Sequence, residues 1–249
     1  MNDGDADSRL GADHVIALST GVAEALSVLI PETRVRISVV HNAGYDQQVE
    51  KLALEEPSLP TPKGPWFLGC GRLTTQKDFS TLLRAFARIQ RENEGELWIL
   101  GEGELRGKLE REITALGLDA SVRLPGFVKN PFAYMARANA FVLSSQWEGF
   151  GNVVTEAMAC GTPVISTDCP HGPREILEDG KWGTLVPVAN GAALADAMRG
   201  ALSNPEQHRV RAKAARAHVT RFEAAEITRQ YEQVILSALE RRSETMKLP

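Results

Sequence analysis

The chain has 249 residues, enough for one large domain or one domain plus a fragment, and its 43% hydrophobic and 24% charged content is ordinary for a soluble globular protein. A formal net charge of −4 gives no electrostatic reason to expect nucleic acid, and no basic run points to an anionic membrane surface. No apolar stretch approaches a membrane span, and the acidic start at residues 1–7 has the wrong chemistry for a signal peptide.

In chain order, residues 14–18 are expected to form a strand, 20–29 a helix and 36–40 a second strand. A linker-like stretch follows. It ends in Glu55-Glu56-Pro57-Ser58-Leu59-Pro60-Thr61-Pro62-Lys63-Gly64-Pro65, where four prolines disfavour regular structure and mark a domain boundary. Two strands and a helix cannot bury a sizeable core alone, so this part reads as the tail of a domain whose main body is missing.

From residue 64 onward short apolar runs alternate with amphipathic segments. Strands are predicted at 66–70, 97–100, 122–124, 140–143, 163–166 and 184–186. Phe79, Leu82, Leu83 and Phe86 recur at helical spacing, as do Leu105, Leu109, Ile113 and Leu116, and 153–160 reads as a further helix. The alternation predicts an α/β fold, a Rossmann-like parallel sheet with helices on both faces. Helices are expected at 205–219 and 224–241, the second with Ile227, Tyr231, Val234, Ile235 and Ala238 in one apolar stripe. The implied organisation is a remnant and linker at 1–63, a ligand-binding domain at 64–204 and carboxyl-terminal helices at 205–249.

Cys70, Cys160 and Cys169 are odd in number and share no metal spacing, so they read as buried free thiols, compatible with a reducing cytoplasm. The five histidines are scattered, and no metal site is expected.

Glu148 and Glu156 stand eight apart across Glu148-Gly149-Phe150-Gly151-Asn152-Val153-Val154-Thr155-Glu156, between a predicted strand and the helix after it. Ligands bind at that edge of an open α/β sheet. Glycines allow close backbone approach, free amides at a helix start favour an anion, and carboxylates accept hydrogen bonds from hydroxyls. A nucleotide sugar needs that combination. Gly71-Arg72-Leu73-Thr74-Thr75-Gln76-Lys77-Asp78 brings Arg72 and Lys77 to the same edge, where they either hold a diphosphate or are ordinary surface charges.

Three further turns are less specific. Gly101-Glu102-Gly103-Glu104-Leu105-Arg106-Gly107 has the wrong glycine spacing for a dinucleotide fingerprint and carries acids where a pyrophosphate would lie, so a nicotinamide-dependent reading is weak. Gly126-Phe127-Val128-Lys129-Asn130-Pro131 either offers backbone groups to a flat ring or simply turns the chain, and the sequence favours the turn. In Cys169-Pro170-His171-Gly172-Pro173-Arg174-Glu175-Ile176-Leu177, Arg174 and Glu175 read as a surface pair without assigned chemistry.

As an ordered set, Gly71-Arg72-Leu73 with Lys77, Glu148 to Glu156, and Ala157-Met158-Ala159-Cys160-Gly161-Thr162-Pro163-Val164 resemble the motifs of glycosyltransferase family 4 over about residues 66–188. The resemblance is to the carboxyl-terminal, donor-binding domain of that retaining, GT-B-fold family. It implies that Glu156 accepts the ribose hydroxyls and that Glu148 faces the donor sugar. It also implies that the amides of Phe150, Gly151 and Asn152 hold sugar or phosphate, and that Arg72 and Lys77, beside Gly71, stabilise the leaving diphosphate. Backbone groups at Phe127 and Val128 would meet the base.

The resemblance further implies no required metal or cofactor beyond the nucleotide-diphosphate sugar, with a UDP-sugar such as UDP-N-acetylgalactosamine weakly preferred. Lipid-linked oligosaccharide or surface-polysaccharide acceptors are expected, and neither nucleic acid nor a transmembrane segment. Only the last elements of the family's first domain are represented, and the helix at 224–241 resembles the one that crosses back towards that domain, so an exposed apolar face is expected on it. The isolated chain is therefore expected to bind donor but transfer sugar poorly or not at all, the missing amino-terminal domain or a partner chain completing the cleft. A non-catalytic nucleotide-sugar-binding module working with a separate chain is the alternative. A cytoplasmic location is expected, with attachment at the inner membrane face left to the absent domain.

Overall fold

The computed structural model describes residues 12, 14–29, 35–90 and 95–245. The acidic start at 1–7 lies outside them. The first described elements are β1 (His14–Ala17), α1 (Thr20–Leu29) and β2 (Arg36–Val39), with β1 and β2 paired in parallel as a separate two-stranded sheet.

The stretch expected to be linker holds a helix, α2 (Gln47–Leu54). Its cue was Asp46, whose carboxylate accepts hydrogen bonds from the amides of Gln48 and Val49 and caps the helix. Val49 and Ala53, one turn apart, are buried. The proline-rich segment that follows lacks regular structure but is tied down: the Tyr134 hydroxyl accepts the Leu59 amide and bonds to Ser58.

The main body continues with β3 (Trp66–Cys70), α3 (Phe79–Gln90), β4 (Glu96–Leu100), α4 (Arg106–Ala115), β5 (Val122–Gly126), α5 (Phe132–Met135) and β6 (Ala140–Leu143). It closes with α6 (Asn152–Ala159), β7 (Val164–Thr167), α7 (Pro173–Ile176), β8 (Thr184–Val186), α8 (Gly191–Ser203), α9 (Pro205–His218) and α10 (Ala224–Thr245). β5 runs two residues past its predicted end because it is an edge strand, where Pro125 costs no ladder hydrogen bond on its open side.

Six strands form one parallel sheet in the order β5-β4-β3-β6-β7-β8. The first strand of the sheet, β3, lies in the middle and the order reverses between it and β6. That reversal opens a crevice at the carboxyl ends of these two strands. Side chains alternate across each strand and build two cores. Phe67, Leu97, Ile99, Val142 and Ile165 pack on one face with α3, α4 and α8. Trp66, Leu68, Trp98, Leu100, Phe141 and Leu143 pack on the other with α2, α5, α6 and Phe222.

The chain crosses between the β1–β2 unit and the main body twice, side by side. Tyr45 bridges Glu223, the Gly44 amide bonds to the Phe222 carbonyl, and the Ala224 amide bonds to the Tyr45 carbonyl. α10 then reaches the β1–β2 unit, where Arg241 hydrogen-bonds the His14 ring. Its apolar stripe divides between buried and exposed residues. Ile227 is buried, but Ile235 is exposed with Leu236 and Leu239.

Candidate active site

The two motifs that follow β3 and β6 flank the topological crevice, which is why residues far apart in sequence meet there. Past β3 the chain turns at Gly71, forms a short 3-10 turn over Thr75–Lys77, and enters α3. The turn is locked to the neighbouring loop after β4. The Leu73 amide donates to the Glu102 carbonyl and the Leu105 amide to the Leu73 carbonyl. Gly101, at φ +130°, has no room for a side chain, because a Cβ there would lie 2.1 Å from the Gly71 carbonyl oxygen. A Cβ at Gly103 would likewise lie 2.5 Å from the Leu73 carbonyl oxygen. Gly101 and Gly103 thus support the Arg72–Lys77 loop, a role the sequence reading did not assign.

Lys77 and Glu148 meet directly. The Lys77 ammonium donates to Glu148 Oε1 at 2.5 Å, with the two side chains 14% and 8% exposed. The Ser145 hydroxyl donates to the same oxygen at 2.7 Å, and the Thr167 hydroxyl fixes Ser145 through its carbonyl. On the other side the Ser144 hydroxyl bonds to the Lys77 carbonyl. Ser144, Ser145 and Thr167 escaped the sequence reading, since short polar residues after an apolar strand look like any loop entry. Their signal was burial, visible only in the fold.

Glu156, one turn into α6, is half-buried. Burial raises its pKa above the ordinary carboxylate value, and the charge of Lys77 only partly offsets that. The carboxylate in turn helps raise the thiols of Cys70 and Cys160, each to about 12 and each chiefly by burial. Cys169, near Glu148, rises to about 11, again chiefly by burial. All three cysteines are free thiols, Cys169 buried and the other two half-buried. They are inert at neutral pH.

Arg72 is exposed at the mouth of the crevice and has no ion-pair partner among the described residues. Gly151 takes a left-handed conformation and starts α6, whose Asn152 side chain accepts a hydrogen bond from Asn42. No acceptor among the described residues takes the amides of Phe150, Gly151 or Asn152, so this helix start presents free donors. Phe150 itself turns inward and is buried. Phe127, beyond β5, is 78% exposed with Val128 half-buried behind it.

Cations, free amides and two carboxylates therefore share one sheet edge. They do not line the cavity of about 710 Å3 beside it, which is walled by Thr20, Glu24, Cys169, His171, Glu175 and Arg221. The edge is an open ledge. Among the described residues no cluster of three or more histidine, cysteine or carboxylate side chains is placed to hold a metal ion.

Residues 51–218 match the family model of glycosyl transferases group 1. The chain belongs to that family. The group 1 match begins inside α2 and ends with α9, leaving the β1–β2 unit and α10 outside it.

Among similar proteins is the N-acetylgalactosamine-N,N'-diacetylbacillosaminyl-diphospho-undecaprenol 4-alpha-N-acetylgalactosaminyltransferase of Campylobacter jejuni. It is 32% identical over 88% of this chain and 58% of its own length. The lipopolysaccharide core biosynthesis glycosyltransferase LpsE of Rhizobium meliloti is 31% identical over 94% of this chain and 68% of its own. The Anabaena Alr3699/HepE structure in complex with UDP and glucose superposes with a TM-score of 0.79 at 24% identity, covering 91% of this chain and 63% of that one. The fold of this group 1 chain, a parallel sheet with helices on both faces, is that of the GT-B glycosyltransferases.

Proposed function

We propose that this chain is the donor-binding half of a glycosyltransferase and holds a nucleotide-diphosphate sugar, with uridine diphosphate as the leaving group. The observation that carries the reading is the meeting, at one topological crevice, of Arg72, Lys77, the free amides of 150–152, Glu148 and Glu156. Relatives that act on sugars and a fold neighbour in complex with UDP support it.

In this reading Arg72, exposed and unpaired among the described residues, grips the diphosphate as a fork, and Lys77 approaches it as a point charge. Glu156 accepts the ribose hydroxyls, Glu148 faces the sugar, and the main chain beside Phe127 and Val128 meets the base. Transfer breaks the bond from the anomeric carbon to the diphosphate oxygen, and the electron pair stays on that oxygen. Arg72, Lys77 and the amides stabilise the charge where it develops. The acceptor hydroxyl attacks from the same face, with retention, and its proton passes to the departing phosphate oxygen. The positive charge comes from side chains, so no metal step is invoked.

The names of relatives that act on an undecaprenol-linked sugar or in lipopolysaccharide core biosynthesis support an acceptor of the lipid-linked or polysaccharide type. No described helix is long and apolar enough to cross a membrane. The chain spans 58% of the first relative, and its β1–β2 pair forms a sheet separate from the main one, so a further domain or a partner chain would complete the acceptor side.

Calorimetric titration with UDP and UDP-sugars tests the reading. UDP is expected to bind the 249-residue chain, and Glu156→Gln to weaken it roughly ten- to hundredfold, as for a lost charge-assisted hydrogen bond. Absence of nucleotide binding, or full affinity in Glu156→Gln, would overturn it.

A further inference from the structure

The segment Cys169 to Leu177 has no part in the chemistry above, and its two charged residues do not pair with each other. Arg174 turns to Asp168 and Asp179. Glu175 reaches across to the first part of the chain. Its Oε2 accepts the Thr20 amide at 3.0 Å, and its Oε1 accepts the Thr20 hydroxyl at 2.7 Å and bonds to His41 Nε2 at 2.8 Å. Burial raises the pKa of this carboxylate, but the bonds from His41 and Thr20 outweigh that and hold it below the ordinary value. One side chain thus joins the start of α1, the end of β2 and α7.

His41 then touches the donor loop. Its ring lies 5.4 Å from Phe150 and, edge-on, 5.5 Å from Phe222, while the two phenylalanines meet at 5.3 Å. Both phenylalanines are buried, and Phe150 belongs to the loop whose amides face the ledge. A second route runs through the backbone. Gly172, at φ +93°, packs so closely that a Cβ there would lie 1.8 Å from the Phe150 carbonyl oxygen. The loop is therefore set from behind by Gly172 directly and by Glu175 through His41.

We propose that Glu175 and His41 are positioning residues for the donor loop, holding Phe150 so that the amides of 150–152 point at the nucleotide sugar. The proposal rests on the donor-binding reading above and adds a coupling between the β1–β2 unit and the donor site. Docking of that unit and occupation of the ledge stabilise the same loop conformation, so each favours the other.

The test uses the 249-residue chain with Glu175→Ala, Glu175→Gln, His41→Ala and the His41→Ala/Glu175→Ala pair. Titration with UDP is expected to show about tenfold weaker binding in either alanine variant. The pair should be no weaker than the worse single variant, because both act through one contact chain. Glu175→Gln keeps an acceptor for Thr20 and His41 and should stay within about threefold of the parent. Additive losses, or parental affinity in both alanine variants while Glu156→Gln fails to bind, would overturn the proposal.

Hydrogen exchange of the free chain supplies an arm independent of nucleotide. Peptides covering 149–154 should exchange faster in Glu175→Ala and His41→Ala, with β3 and β4 unchanged. If the parent binds no UDP, the donor reading falls and this arm decides: unchanged exchange at 149–154 sinks the positioning role. Should Glu175→Ala fail to fold, His41→Ala and Glu175→Gln carry both measurements.

Discussion

Lys77 and Glu148 form a nearly buried ion pair, each satisfying the other, and on the proposed reading each also faces the donor. Breaking such a pair from one side strands a charge in a poorly hydrated place. Lys77→Ala should therefore lower the unfolding free energy in urea by roughly 3 kcal/mol, and adding Glu148→Gln should recover part of the loss. An undisturbed urea midpoint in Lys77→Ala would show that water already solvates the pair. Glu156 has the opposite sign. Its pKa is raised in the fold from an ordinary 4.5, so the native state binds more protons and stability falls as pH rises through the interval above 4.5. Glu156→Gln should accordingly melt higher than the parent at pH 7, with the gap narrowing as pH falls toward 4.5. Calorimetry across that range checks it. On the proposed reading this carboxylate is kept at a cost to stability because it binds the donor.

At the scale of elements, the strand–helix alternation was legible because buried parallel strands are short continuous apolar runs and their helices show a 3.6 period. The misses have separate physical causes. α2 was hidden by the prolines after it, although Asp46, Val49 and Ala53 carried a cap and an apolar face. β5 was ended at Pro125 because edge position is a property of the sheet and not of the segment. On α10 spacing gave the apolar stripe, but it cannot say which of those residues finds a neighbour, and Ile227 is buried while Ile235 is exposed. Gly172 shows the limit most clearly: its conformation and its contact with Phe150 are needed only because two loops abut. Gly172→Ala should cost about 1–3 kcal/mol for the backbone alone, and more from the collision. A melting point equal to the parent's would contradict that packing. Leu236→Ser with Leu239→Ser, on exposed positions of α10, should change the unfolding free energy of this chain by less than about 0.5 kcal/mol.

The molecule as a whole consists of a six-stranded body with two filled cores and a thin β1–β2 unit held to it by paired crossings at 44–45 and 222–224. A two-stranded parallel sheet is not a self-sufficient unit, since parallel strands are stable when covered on both faces. On the proposed reading, the 249-residue chain should bind UDP without measurable sugar transfer, and fusion to a preceding α/β domain from a relative should restore turnover. A product assay with a UDP-sugar donor and a lipid-linked acceptor distinguishes these outcomes, and robust transfer by the 249-residue chain would refute the need for a further domain.

By itself the sequence determined the order of strands and helices, the parallel sheet and the residue types at the candidate site's edge, because these depend on local periodicity and on short motifs read along the chain. It contained Arg72, Lys77, Glu148 and Glu156 but could not pair them. Tertiary structure alone decided that Lys77 rests on Glu148, that Ser145 and Thr167 sit beneath that pair, and that Glu175 binds Thr20 and His41 instead of Arg174. The physical reason is that hydrogen bonds and charge pairs are set by distance in space, and here the strand order β3-β6 brings together loops about seventy residues apart in sequence.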